Sequence, residues 1–117
     1  MIISVRSSLT SLEAIGKKLG VTADNIANYE SEGFKKNRAL IMEGQKGDVV
    51  LDIQKVDSPG PIVTDNVNGK PVERELSNVD LAEEIPQTIP LQRGHEANIK
   101  VIETQEETLG SLLDIIS

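Results

Sequence analysis

The sequence predicts an α+β chain in which long N- and C-terminal helices form a coiled-coil-like pair, with a small antiparallel β insert between them. Three observations predict it. Apolar or small residues recur in steps of three and four over the first and last thirds of the chain, the period of a helix with one buried face. The middle loses that period and holds Gly44, Gly47, Pro59, Gly60, Pro61, Gly69 and Pro71, spaced as turn punctuation between short runs. The length of 117 residues suits one hydrophobic core and leaves no room for a second.

In the first third, Val5, Leu9, Leu12, Gly16, Leu19, Ala23 and Ile26 make a heptad seam, which predicts a helix over 8–30. Ser7, Ser8 and Ser11 can cap its start, and Gly33 can supply the left-handed residue that stops it. Gly16 and Gly20 each cost a helix about 1 kcal/mol against Ala, and both point to a partner helix. In the middle, Val49, Leu51 and Ile53 alternate onto one face of a strand over 49–54. Asp57-Ser58-Pro59-Gly60 reads as a turn before Ile62-Val63-Thr64, and Asn68-Gly69 between Val67 and Val72 as a type I′ hairpin. Together they predict a three-stranded antiparallel meander with Pro71 on an edge.

From Val79 the helical period returns at Ile99, Ile102, Leu109, Leu113 and Ile116, with His95 and Glu106 as polar members of the same seam. Ser77 or Asn78 can cap this helix, and Asp80, Glu83 and Glu84 place negative charge at the positive end of its dipole. Pro86 and Pro90 each remove a backbone donor, at about 3 kcal/mol or more inside a helix. The expectation is a short helix near 79–85, a break, and a long helix from Pro90 to Ile115 of about 39 Å. The chain thus divides into an N-terminal helix (1–33), a small β insert (34–76) and a C-terminal helix (77–117), within a single structural domain. Two paired helices leave half of each uncovered, so self-association is the expected completion.

Composition removes several classes of function. The net charge is −7 with basic residues scattered, so no stripe tracks a phosphate backbone and nucleic acid is not expected as a partner. There is no Cys, hence no disulfide or thiolate metal site. The N-terminus lacks the pattern of a cleavable signal, and no apolar run approaches the roughly 18 residues that would enter a membrane. His95 has no second His beside it, and no Gly-x-Ser-x-Gly elbow or phosphate loop follows Gly44 and Gly47. Asp65-Asn66-Val67-Asn68-Gly69 puts Val67 where a calcium loop needs oxygen. The carboxylates Glu83, Glu84, Glu103, Glu106 and Glu107 read as a solvated acidic face. No cofactor, metal or catalytic group is expected.

Asp24-Asn25-Ile26-Ala27-Asn28, followed by Gly33-Phe34-Lys35, resembles the N-terminal signature of flagellar basal-body rod and hook (axial) proteins. Ser77-Asn78-Val79-Asp80-Leu81, Gln92-Arg93-Gly94-His95-Glu96-Ala97-Asn98 and the Leu-rich end around Leu109 and Leu113 are similar to the C-terminal signature of the same family. The short chain is closest in size to the proximal rod members. His95 replaces the usual aromatic and Gly94 the usual Ala, and Pro86 and Pro90 interrupt a stretch that is otherwise rich in helix formers. The resemblance implies a structural subunit of the periplasmic rod, assembling with itself and other axial proteins and exported by the flagellar secretion apparatus without cleavage. It implies an assembly interface built from Leu9, Leu12, Leu19, Asn25, Ile26, Ala27, Asn28, Gly33, Phe34, Asn78, Val79, Asp80, Gln92, Arg93, Glu96, Asn98, Ile99, Ile102, Leu109 and Leu113. The competing expectation is a soluble adapter derived from a rod protein and kept out of the tube by its prolines.

Overall fold

The computed structural model describes residues 2–116; Met1 and Ser117, the outermost residues of the first and last predicted segments, lie outside the described residues. Helix α1 (Ile2–Ala27) is followed by β1 (Asn37–Glu43), a 3₁₀ turn (Gln45–Gly47), β2 (Val49–Lys55), β3 (Ile62–Val67), β4 (Lys70–Glu75) and helix α2 (Leu81–Ile116). The α+β class is as expected, with helices at both ends and antiparallel strands between.

The two helices run antiparallel. Ile15 Cδ1 lies 3.2 Å from the point where a Cβ on Gly94 would sit, while Thr22 and Asn25 share a cleft with Glu84 and Gln87. Residue numbers therefore rise along one helix as they fall along its neighbour. At ~1.5 Å per residue α1 spans about 39 Å and α2 about 54 Å, so α1 runs out opposite roughly residue 105 of α2. Every residue from Glu106 to Ile116 is exposed. The molecule measures 84 × 24 × 17 Å with a radius of gyration of 21.2 Å, against about 13 Å for a compact chain of this length.

On α1 the most buried positions are rotated by about one residue from the seam expected of the sequence, whereas on α2 the covered stripe keeps the expected members His95 and Ile102 and the seam residues from Glu106 onward lie beyond the end of α1. On α1 Ser8, Ala14, Ile15, Thr22 and Asn25 are buried, Ser11, Leu12, Lys18, Leu19 and Ile26 are half-buried, and Leu9, Gly16 and Ala23 face solvent. On α2 Glu84 and Leu91 are buried and His95, Asn98, Ile102 and Gln105 half-buried, while Ile99, Glu106, Leu109, Leu113 and Ile116 are exposed. Short side chains at Ser8, Ala14, Thr22 and Gly94 let helices and sheet approach closely, a fit that Leu9 would prevent. Among the described residues the buried apolar side chains are Ala14, Ile15, Ala39, Val79 and Leu91, a thin core for a chain of this size.

Three further expectations are corrected. Helix α1 spans Ile2–Ala27 and not 8–30, and its serines do not cap it: Ser7 Oγ donates to the Gly47 carbonyl at 2.7 Å. The meander is replaced by two separate two-stranded sheets, β1–β2 and β3–β4, because the strand at 49–55 pairs with 37–43, with Ala39 opposite Ile53 and Ile41 opposite Leu51. Strand β1 is masked in the sequence by the run Ala39-Leu40-Ile41-Met42, which does not alternate. Between β2 and β3 the linker bonds to other parts of the chain: Val56 N–H donates to the Lys36 carbonyl at 2.9 Å and Leu76 N–H to the Pro61 carbonyl at 2.8 Å. The hairpin at Asn68-Gly69 forms as expected, with φ of 54° and 78°, both positive as a type I′ turn requires.

Helix α2 is continuous through Pro86 and Pro90, so the expected break is absent. The carbonyls that lose a donor are those four residues earlier, on Ala82 and Pro86. Residues 82, 86 and 90 fall on one face, and all three are exposed, so water can hydrate the freed groups and the cost of orphaning them in the interior does not arise. No helix of the described residues is long and apolar enough to cross a membrane.

Candidate assembly site

The two segments that carry the terminal signatures meet at a polar junction where α1 ends and α2 begins. Asn25, in the last turns of α1, is buried to 1% exposure, the lowest of any side chain among the described residues. Its amide makes a two-way clamp on one residue: Nδ2 donates to the Asn37 carbonyl at 2.8 Å and Oδ1 accepts from Asn37 N–H at 3.1 Å. A carboxylate could only accept and a hydroxyl would not span both groups, so an amide suits the position. Asn28 closes the helix end, donating from Nδ2 to the Asp24 carbonyl at 2.9 Å and accepting from Ser31 Oγ at 3.0 Å. Gly33 (φ 66°) then turns the chain in the left-handed region that favours glycine.

Beyond that turn the chain joins the start of the C-terminal signature. Gly33 N–H donates to the Glu75 carbonyl at 3.0 Å, and Asn78 N–H to the Phe34 carbonyl at 3.2 Å. Asn78 is the second clamp. Its Oδ1 accepts from Lys36 N–H at 2.7 Å, and its Nδ2 donates to the carbonyls of Val56 at 2.8 Å and Ser58 at 2.9 Å. With Asn78 committed there, the cap of α2 falls to Asp80, whose Oδ1 accepts from Ala82 N–H at 3.0 Å, while Ser77 Oγ accepts from Val79 N–H at 3.1 Å. This corrects the expected cap at Ser77 or Asn78.

Charges tighten the junction. Glu75 pairs with Lys35 and accepts from Gly60 N–H at 3.1 Å; the Lys35 contact first, and the Gly60 amide second, hold its carboxyl below the ordinary 4.5. Arg74 is bracketed by Glu32 and Asp65, which ties the β3–β4 hairpin to the end of α1. Gly60 is buried, and a Cβ there would lie 2.0 Å from the Leu76 carbonyl oxygen, so only glycine allows the two backbones to pass.

Of the residues singled out in the sequence, Asn25, Asn28, Gly33, Phe34, Asn78, Val79 and Asp80 come together here. Leu12, Leu19, Ile26, Asn98 and Ile102 line the helix pair partly covered, and Asn98 Nδ2 donates to the Gly94 carbonyl within its own helix at 2.8 Å. Leu9, Gln92, Arg93, Glu96, Ile99, Leu109 and Leu113 lie on exposed surface away from the junction, and Ala27 is exposed beside it at the end of α1. Sequence reasoning missed Glu75, Gly60 and the inward Ser8, Thr22 and Glu84. No local pattern distinguishes these from other surface polar residues; only the phase of the helix pair does.

Chemically this arrangement holds backbones in place. The groove beside it, about 780 Å³, is lined by Tyr29, Ser58, Pro59, Pro61, Leu76, Ser77 and Leu81 with Glu30 and Asp80. Among the described residues no group of three His, Cys, Asp or Glu is placed to hold a metal.

The fold and junction define a class: an elongated helical hairpin whose ends are latched by amide side chains, a scaffold in form. The family model for the C-terminal part of flagellar basal body rod FlgEFG proteins matches residues 75–115. The match takes in 41 of the 117 residues and supports, for that segment, the resemblance to flagellar rod and hook proteins read from the sequence. The match begins at Glu75, inside the junction, and takes in nearly all of α2; Asn25 and Gly33 lie outside it. No curated protein matches the chain.

Proposed function

We propose that this protein is a structural subunit of the bacterial flagellar basal-body rod that assembles through its terminal helices with copies of itself and with other axial proteins. The observation that carries this reading is the latch: Asn25 and Asn78 tie the two terminal segments to the adjacent residues Asn37 and Lys36, in an elongated body whose apolar residues Leu9, Ile99, Leu109 and Leu113 are exposed. A monomeric protein gains nothing from that orientation, whereas a subunit surrounded by helices buries it. In this reading residues 1–33 and 77–117 are the axial core, 34–76 decorate it, and the single domain is exported by the flagellar apparatus without cleavage and catalyses nothing. The adapter reading leaned on prolines that break α2, and the helix is continuous. Deleting the gene should abolish or impair motility, with restoration by the wild-type chain and recovery of a tagged copy in purified basal bodies. Full motility of the deletion together with absence of the tagged chain from basal bodies would refute the proposal.

A further inference from the structure

We propose that the cleft between the last turns of α1, the start of β1 and the first turns of α2 binds a small zwitterion, an α-amino acid with a short side chain. The fold buries two polar side chains there that it does not use. Glu84 is 5% exposed and Thr22 is 2% exposed, and among the described residues neither side chain makes a hydrogen bond or an ion pair. A carboxylate withdrawn from water needs donors, and buried polar groups of folded proteins nearly always have partners. Here the partner must come from outside the chain.

Both residues line a cleft of about 160 Å³. Water at ~30 Å³ per molecule would fill it with about five, and one molecule the size of alanine or serine fits the same space. Lys18, Arg38 and Gln87 also line it, and among the described residues their side chains are likewise without partners. Asn25 is committed to Asn37, and Lys36 and Glu83 hold each other at 3.6 Å. Unpartnered donors and acceptors from α1, β1 and α2 therefore meet in one space.

Charge selects the class of ligand. With Lys36 and Glu83 offset against each other, the charges left at the cleft are Lys18 on α1 and Arg38 on β1, both positive, and Glu84 on α2, negative. A simple anion drawn to Lys18 and Arg38 would also face Glu84, and a simple cation drawn to Glu84 would face two positive groups, so in each case repulsion offsets the attraction. A molecule with an ammonium and a carboxylate avoids both conflicts. Its ammonium donates to Glu84 and Thr22 Oγ1, its carboxylate accepts from Lys18 and Arg38, and the Gln87 amide can serve either end. A quaternary ammonium has no N–H and would leave Glu84 without a donor.

A ligand held by Lys18 and Thr22 on one side and Glu84 on the other bridges α1 to α2 beside the Asn25 clamp. The unfolded chain offers no such set, so binding stabilises the fold by mass action. The cleft lies within one chain, and its occupancy is independent of assembly into a rod.

The test titrates the full, isotopically labelled chain with glycine, L-alanine and L-serine at constant ionic strength and follows backbone amide signals by NMR. At least one of the three should give saturable shifts confined to residues around Lys18, Thr22, Arg38, Glu84 and Gln87, with a dissociation constant of about millimolar, as suits so few ligand atoms. Acetate and methylammonium, each carrying one of the two charges, should bind at least about tenfold more weakly, alone or together. Glu84→Gln and Lys18→Met should each weaken binding by about tenfold or more, with circular dichroism checking that they are folded, while Glu106→Gln, far along α2, leaves it unchanged. The melting temperature of wild type, but not of Glu84→Gln, should rise with the amino acid. Absence of saturable shifts with all three amino acids up to about fifty times the expected constant means that the cleft holds water alone and overturns the proposal. Equal binding of acetate or methylammonium overturns it too, as does full binding by a folded Glu84→Gln.

Discussion

Asn25→Ala removes the clamp between α1 and β1, and its effect can be worked from the geometry. The substitution takes away the donor to the Asn37 carbonyl and the acceptor for Asn37 N–H, both at hydrogen-bonding distance. A backbone group stranded without a partner costs about 1–3 kcal/mol. Asn37 is half-buried, so water recovers part of this, and the expected loss is about 2–4 kcal/mol, including the small cavity left by the amide. Against the 5–15 kcal/mol typical of a domain, and with a core of five buried apolar side chains among the described residues, that loss is large. Asn25→Asp keeps the acceptor but sets a carboxylate oxygen against the Asn37 carbonyl, so it should be at least as damaging as Ala despite its matching shape. Asn28→Ala, which loses only bonds at an exposed helix end, should cost about 1 kcal/mol or less. Urea unfolding followed by circular dichroism at 222 nm, at concentrations where the chain is monomeric, measures all three. An Asn25→Ala change under about 0.5 kcal/mol, or one no larger than that of Asn28→Ala, would refute the view that this amide latches the fold.

Gly60→Ala should lower stability by about 2–3 kcal/mol or more, since its Cβ would meet the Leu76 carbonyl oxygen at 2.0 Å and the backbone must shift to relieve it; a thermal melt unchanged from wild type would contradict this. Pro86→Ala and Pro90→Ala each restore a helical hydrogen bond at an exposed site, so each should raise helicity and stabilise by up to about 3 kcal/mol, checked by urea midpoint. Glu75 has a folded-state pKa below its ordinary 4.5, so its contribution is complete above that value and disappears as pH falls through the depressed one. Melting temperature followed from pH 7 downward should show wild type losing its advantage over Glu75→Gln only below about pH 4.5; an advantage that vanished already near pH 6 would assign the effect to another group.

The residues themselves determined the kind of structure in each region. A period of three to four at both ends yields helices wherever the chain finds burial, and the Asn68-Gly69 turn forms because only a few residues tolerate two positive φ values in succession. The terminal signatures likewise marked Asn25, Gly33 and Asn78 before any contact was known. Tertiary structure decided what local pattern cannot express. Positions 8, 15 and 22 repeat with the same heptad spacing as 9, 16 and 23, so which stripe turns inward depends on how closely the neighbouring elements approach, and here Ser8 and Thr22 fit where Leu9 does not. The strand at 49–55 pairs with β1 and not β3, and the intervening linker bonds to Lys36, Leu76 and Asn78, partners distant in sequence that no local pattern names. Helix α2 stays whole through its prolines with residues 82, 86 and 90 all exposed, and which face of a helix is exposed is a property of packing.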